Sequence, residues 1–181
     1  VRFYECNITA TAAATPTISG AATASAFTTT YGTASAAQTF AVSGANLTAN
    51  LVATAPTGFE VSADGTTYGN TATFTQTSGS ASGTLSIRLK ANAAVTGNYN
   101  AQNIVLSSTG ATSVNITTAA SGNSVSTKAL TITANSQSVP QGTRISTVTG
   151  AGSYTATGFV NGETASVISG SATYTTTYTV T

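Results

Sequence analysis

Large apolar side chains recur at every second position over short stretches of this chain, and small polar residues separate the stretches. Such alternation is the mark of a strand with one face buried. Residues 39–43 set Phe40 and Val42 on one side. Leu47 and Leu51 mark a strand within residues 46–54, and Pro56-Thr57-Gly58 then turns the chain. Phe59 and Val61 point inward, with Glu60 and Ser62 outward. Asp64-Gly65 predicts a tight hairpin, and residues 71–77 alternate Thr with Ala72, Phe74 and Gln76. After a loop at 78–83, Leu85, Ile87 and Leu89 alternate with Ser86, Arg88 and Lys90, the clearest half-buried strand. Residues 103–107 and 113–117 carry Ile104, Leu106, Val114 and Ile116. No stretch between residues 20 and 125 predicts a helix. Turn signals every 8–12 residues or so predict an all-β sandwich.

The flanks are less regular. From residue 127, Leu130 and Ile132 alternate inward along 128–134, a loop surrounds Pro140, and residues 144–149 and 153–157 predict strands. Asn161-Gly162 predicts a hairpin. Residues 173–181 predict a last strand, with Tyr174, Thr176, Tyr178 and Val180 on one face and Thr on the other. A unit this small buries little of its surface and is marginal alone. Residues 1–19 read as an extended strand or linker: Val1-Arg2-Phe3-Tyr4-Glu5 suits a strand, and Pro16 suits an edge. The organisation expected is 1–19 extended, 20–126 a β-sandwich, and 127–181 a partial β-domain.

Composition narrows the chemistry. The 181 residues include 40 Thr, 22 Ser and 32 Ala, against nine charged side chains and no His, Trp or Met. With Ala supplying much of the apolar content, the core is expected to be thin. Disordered chains combine low hydrophobicity with high net charge, whereas this chain has a net charge of +1, so it is expected to fold. No Lys/Arg cluster could displace counterions from nucleic acid, and no stretch reaches the roughly 20 apolar residues of a membrane helix. There is no initiator Met or signal-peptide pattern, which suggests a removed leader or a slice of a longer protein. Cys6 is the single cysteine, so no intrachain disulfide is expected. It reads first as a small buried residue, with an intermolecular bond or a lipid as alternatives.

Two stretches resemble known modules. Phe27-Thr-Thr-Thr-Tyr-Gly-Thr-Ala-Ser35, Ser43-Gly-Ala-Asn-Leu-Thr48, Ala55-Pro-Thr-Gly-Phe-Glu-Val-Ser62, Leu85-Ser-Ile-Arg-Leu89 and Ile104-Val-Leu-Ser-Ser-Thr-Gly110 resemble an Ig-like repeat of large secreted bacterial proteins. Lys128-Ala-Leu-Thr-Ile-Thr-Ala-Asn135 and Tyr154-Thr-Ala-Thr-Gly-Phe-Val-Asn-Gly-Glu-Thr164 resemble the opening of an MBG-type Ig-like domain, strung in tandem along bacterial adhesins. The chain departs from that pattern at Val139-Pro-Gln-Gly142 and lacks the later strands. The resemblance implies two tandem Ig-like sandwiches, the second incomplete, on an extracellular or cell-surface protein, and no catalytic residues.

The residues agree on that last point. Without His the common general base and metal ligand is missing. The acids Glu5, Glu60, Asp64 and Glu163 do not pair convincingly, and Asp64 is explained by its turn. No catalytic, metal or cofactor site is therefore expected. Asn7, Asn46 and Asn115 fit the glycosylation sequon, and Tyr154, Tyr174 and Tyr178 are weighed as sugar-stacking rings against core. The Thr ladders suggest ice binding only distantly. The function expected is a structural component of a surface fibre or adhesin, a homopolymer built by strand addition with surface glycans as candidate partners. Val1, Arg2, Phe3, Tyr4, Cys6 and Ile8 are expected to donate, and Tyr174, Tyr178 and Val180 to accept. The alternative is a carbohydrate-binding or spacer module of a secreted enzyme.

Overall fold

In the computed structural model, residue 2, residues 12–177 and residue 179 are described. The short alternating stretches form β1 (Thr17–Ser19), β2 (Ala22–Thr23), β3 (Thr28–Thr30), β4 (Gln38–Ala45), β5 (Leu51–Thr54), β6 (Phe59–Ser62), β7 (Thr71–Phe74), β8 (Ala81–Leu89), β9 (Asn103–Ser107), β10 (Val114–Thr117) and β11 (Ser124–Ser126). One sheet runs β1-β4-β8-β6 and the other β2-β10-β9-β5-β7. The first strand changes sheets at Gly20 (φ +138°): β1 pairs antiparallel with β4, while β2 pairs parallel with β10. β3 and β11 form a parallel pair beside them.

The two sheets face each other across one apolar interior. Leu51, Phe59, Val61, Leu85, Ile87, Leu89, Ile104, Leu106 and Ile116 are wholly shielded from solvent. Phe59 meets Phe27 and Tyr99 edge-on, with ring centroids 5.4 and 5.8 Å apart. Val42, Leu47, Phe74 and Val125 share that interior, and alanines 24, 53, 72, 81 and 93 fill positions among them. Asn123 closes one end of the sandwich. Its Oδ1 accepts the Phe27 amide at 2.9 Å, and its Nδ2 donates to Asn100 Oδ1 and to the Ala119 carbonyl.

Several local expectations are corrected. Asp64-Gly65 folds the chain back only as far as a single antiparallel bridge, Val61 to Gly69, and does not join two paired strands, because β6 and β7 lie in different sheets. Residues 63–70 cross between them and fold over β6, which is why Ser62 and Ser86 are buried rather than exposed. The loop at 78–83 shrinks to a tight turn bonded between Thr77 and Ser80, and β8 begins at Ala81. Gly83 belongs to that strand because the Phe74 ring lies where its Cβ would be.

Beyond Val125 no described residue is buried. β12 (Thr131–Ala134) and β13 (Tyr154–Thr157) pair with each other and with no other strand. Leu130 and Ile132, expected inward, are 38% and 53% exposed. The alternation sorted them onto one face, but that face meets no second sheet. Residues 144–149 form not a strand but the short helix α1 (Ile145–Gly150); Ile145 and Val148, three apart, fit helical spacing. Asn161-Gly162 makes a turn closed by the Glu163 amide on the Val160 carbonyl at 2.9 Å, yet no strand follows to complete a hairpin. Residues 171–177 form no strand either. There the Tyr174 ring occupies the space beside Gly152, which anchors the segment outside any ladder.

Unequal burial predicts unequal sensitivity. Phe59→Ala should cost about 3–5 kcal/mol, whereas Ile132→Ser should change stability by less than about 0.5 kcal/mol in the monomer. Urea denaturation at low protein concentration measures both.

Candidate assembly interface

Strand register decides what the C-terminal ribbon presents. Ile132 lies opposite Ala156, and Ala134 opposite Tyr154, and directly paired residues point to the same side. One face therefore carries Ile132, Ala134, Tyr154 and Ala156, and the other Thr131, Thr133, Thr155 and Thr157. The apolar face is covered only in part by residues 168–172, which line a shallow groove with Ile132 and Tyr154. Each ribbon strand also has one edge without a strand partner among the described residues. No residue from Ala129 to Thr143 is charged, so no side chain repels a further strand.

Of the four edge strands of the two main sheets, β7 is open on its outer side among the described residues, and the other three are better guarded. β6 is capped by its own loop, Val61 and Gly69 exchanging two backbone bonds at 2.8 and 3.0 Å. Asp64 holds that loop: its carboxylate accepts the Thr66 and Thr67 amides, both at 2.7 Å, and the Ser62 hydroxyl at 2.7 Å. The Thr67 and Thr66 amides, then the hydroxyls, hold the Asp64 pKa far below the ordinary carboxylate range. Across the same edge, Arg88 Nε donates to Glu60 Oε1 at 2.7 Å while its guanidinium carbon sits 3.5 Å over the Tyr68 ring. β1 and β2 have only three and two residues.

Sandwich and ribbon touch at one end. Tyr31 Oη donates to Glu163 Oε1 at 3.1 Å, Val160 packs where a Cβ on Gly32 would lie, and Asn161 Nδ2 reaches the Ala91 carbonyl at 3.5 Å. A cleft between the two is lined by Tyr31, Val95, Lys128, Leu130, Phe159, Glu163 and Val167 among others. A larger, open cleft of about 620 Å³ runs between the Pro56 turn and residues 90–99. Its wall includes Tyr99, whose buried hydroxyl donates to the Ala94 carbonyl at 2.6 Å. Burial raises its phenol pKa, and the ring serves to close the core.

Of the residues expected to mediate assembly, Val1, Phe3, Tyr4, Cys6, Ile8, Tyr178 and Val180 lie outside the described residues, as does Asn7. Arg2 is exposed and in no strand. Tyr174 is half-buried and lines a groove with Ala134, Val139 and Val148, so it fills space rather than offering a ladder. Tyr154, weighed as core, is 38% exposed. Asn46 is exposed in a left-handed turn (φ +56°), its side chain donating to the Thr15 carbonyl at 3.3 Å. Asn115 is exposed on β10. Sequence reasoning missed Lys128, Glu163 and Tyr31, which no local pattern brings together. No family model, characterised protein or solved structure matches the chain.

Asp64→Ala should lower the melting temperature by freeing the β6 cap. Because its folded pKa lies below the ordinary 3.8, the wild-type contribution is complete above that value. It is lost only as pH falls through the folded pKa. An NMR titration of the Asp64 carboxyl should therefore show no midpoint near 3.8; a midpoint there contradicts the turn geometry.

Proposed function

We propose that this chain is a structural component of an extracellular surface fibre or adhesin, assembled by passing a strand from one copy to the next. Such strand addition takes affinity from main-chain bonds and specificity from alternate side chains. The observation that supports it is the ribbon of β12 and β13: two strands, two open edges, and an apolar face left in water. A two-stranded ribbon is marginal in water by itself, so added strands would stabilise it. The sandwich, with three of its four edge strands capped or very short, would act as a rigid spacer.

The directions of the chain fit a linear array. β1 enters where Thr17 pairs with Ala45, at one end of β4, while the ribbon meets the sandwich beside Ala91, past the opposite end. Units entered at one pole and left at the other stack head to tail, and such contacts extend as open filaments unless the rotation closes them. Residues 1–15 are the donor in this reading, and the ribbon the acceptor. Sugar binding by stacking finds less support, since among the described residues Tyr154 is the one exposed aromatic ring and the others are buried or half-buried.

Deleting residues 1–15 should abolish polymerisation, as judged by electron microscopy and sedimentation, while leaving the sandwich folded. Filaments that persist unchanged would refute the donor assignment.

A further inference from the structure

We propose that the cleft between sandwich and ribbon seats Phe3 of a second copy, with Glu5 of that copy set against Lys128. This rests on the strand-donation reading above. Val95, Leu130 and Val167 line the cleft and are 40%, 38% and 56% exposed. They are three of the six large apolar residues left in solvent among those described. The cavity measures about 240 Å³, below the roughly 300–1,000 Å³ typical of small-molecule sites and suited to one aromatic ring. Lys128 makes no ion pair among the described residues, and the Glu163 carboxylate takes the Tyr31 hydroxyl. An occupant should therefore bring apolar bulk and a carboxylate.

The chain supplies only one such segment. Of its four acids, Glu60 is held by Arg88, Asp64 by its turn, and Glu163 is in the cleft itself. Glu5 remains, two positions from Phe3, and residues two apart face the same way along an extended strand. The segment's own exit lies at the opposite pole, and strand donation, on which this proposal rests, brings it from another copy. The Thr15 carbonyl is bound by Asn46, and Pro16 lies 3.6 Å from where a Cβ on Gly110 would sit. The cleft lies past the far end of β4, whose eight residues span roughly 25 Å.

Sedimentation velocity on the full chain tests this by charge exchange. Lys128→Glu and Glu5→Lys should each weaken association by up to about fivefold, as for an exposed ion pair. The double variant should recover to within about twofold. Phe3→Ser should weaken association by about tenfold or more. No recovery in the double variant, or an unaffected Phe3→Ser chain, overturns the seat. If the chain lacking residues 1–15 still fails to assemble in that case, strand donation stands and only the seat is wrong. If that truncated chain assembles normally, donation itself fails. Effects that change monomer stability equally at every concentration would place the segment on its own chain and likewise overturn the proposal.

Discussion

Large apolar side chains are scarce here, and the fold depends on where they are spent. Nearly all that are buried lie between Phe27 and Val125, in the single interior shared by the two sheets. Burial of apolar area is the main force opposing chain entropy. Alanines take five of its twenty buried apolar positions, and larger Leu, Ile, Val, Phe and Tyr side chains take the rest. The polar groups drawn into it are satisfied: Thr118 takes the Gln102 amide and donates to the Tyr99 carbonyl, and Ser35 takes the Leu89 amide. The sandwich thus closes on itself.

The same scarcity explains the C-terminal stretch. Ile132, Ala134, Tyr154 and Ala156 give the ribbon one apolar face, but no opposing sheet among the described residues covers it. What joins this stretch to the sandwich is a small contact centred on Gly32 and Val160, with the Tyr31–Glu163 hydrogen bond beside it. Edge protection follows the same division. The sandwich spends Asp64, Glu60, Arg88 and Lys90, nearly half the chain's charged residues, around one edge and its neighbouring loop. The ribbon has none.

Strand positions from 39 to 117 were legible because a period of two is set by the strand itself, and a burial difference of one face is enough to impose it. Leu85, Ile87 and Leu89 lie as the alternation predicts, and so do Ile104, Leu106 and Ile116. Sheet membership was not legible: Asp64-Gly65 signals a turn, but β7 goes on to pair with β5 in the other sheet, which no local pattern states. Beyond residue 127 the alternation of Leu130 and Ile132 is there, but the burial expected of it is not, and residues 173–177 form no strand. Ile132 and Tyr154 do share a face, while residues 144–149 wind into a helix and Tyr174 settles on Gly152. The Lys128–Glu163 cleft was invisible because its residues come from distant stretches joined only by the fold.

The sandwich is held by its own strands, whereas, among the described residues, the ribbon of β12 and β13 has open edges and an apolar face in water. Amide hydrogen exchange, followed residue by residue across a dilution series, tests this most directly. At low concentration β4, β8 and β9 should exchange only through global unfolding, while β12 and β13 exchange orders of magnitude faster and become protected as copies associate. Equal, concentration-independent protection of the ribbon and the sandwich would contradict the account.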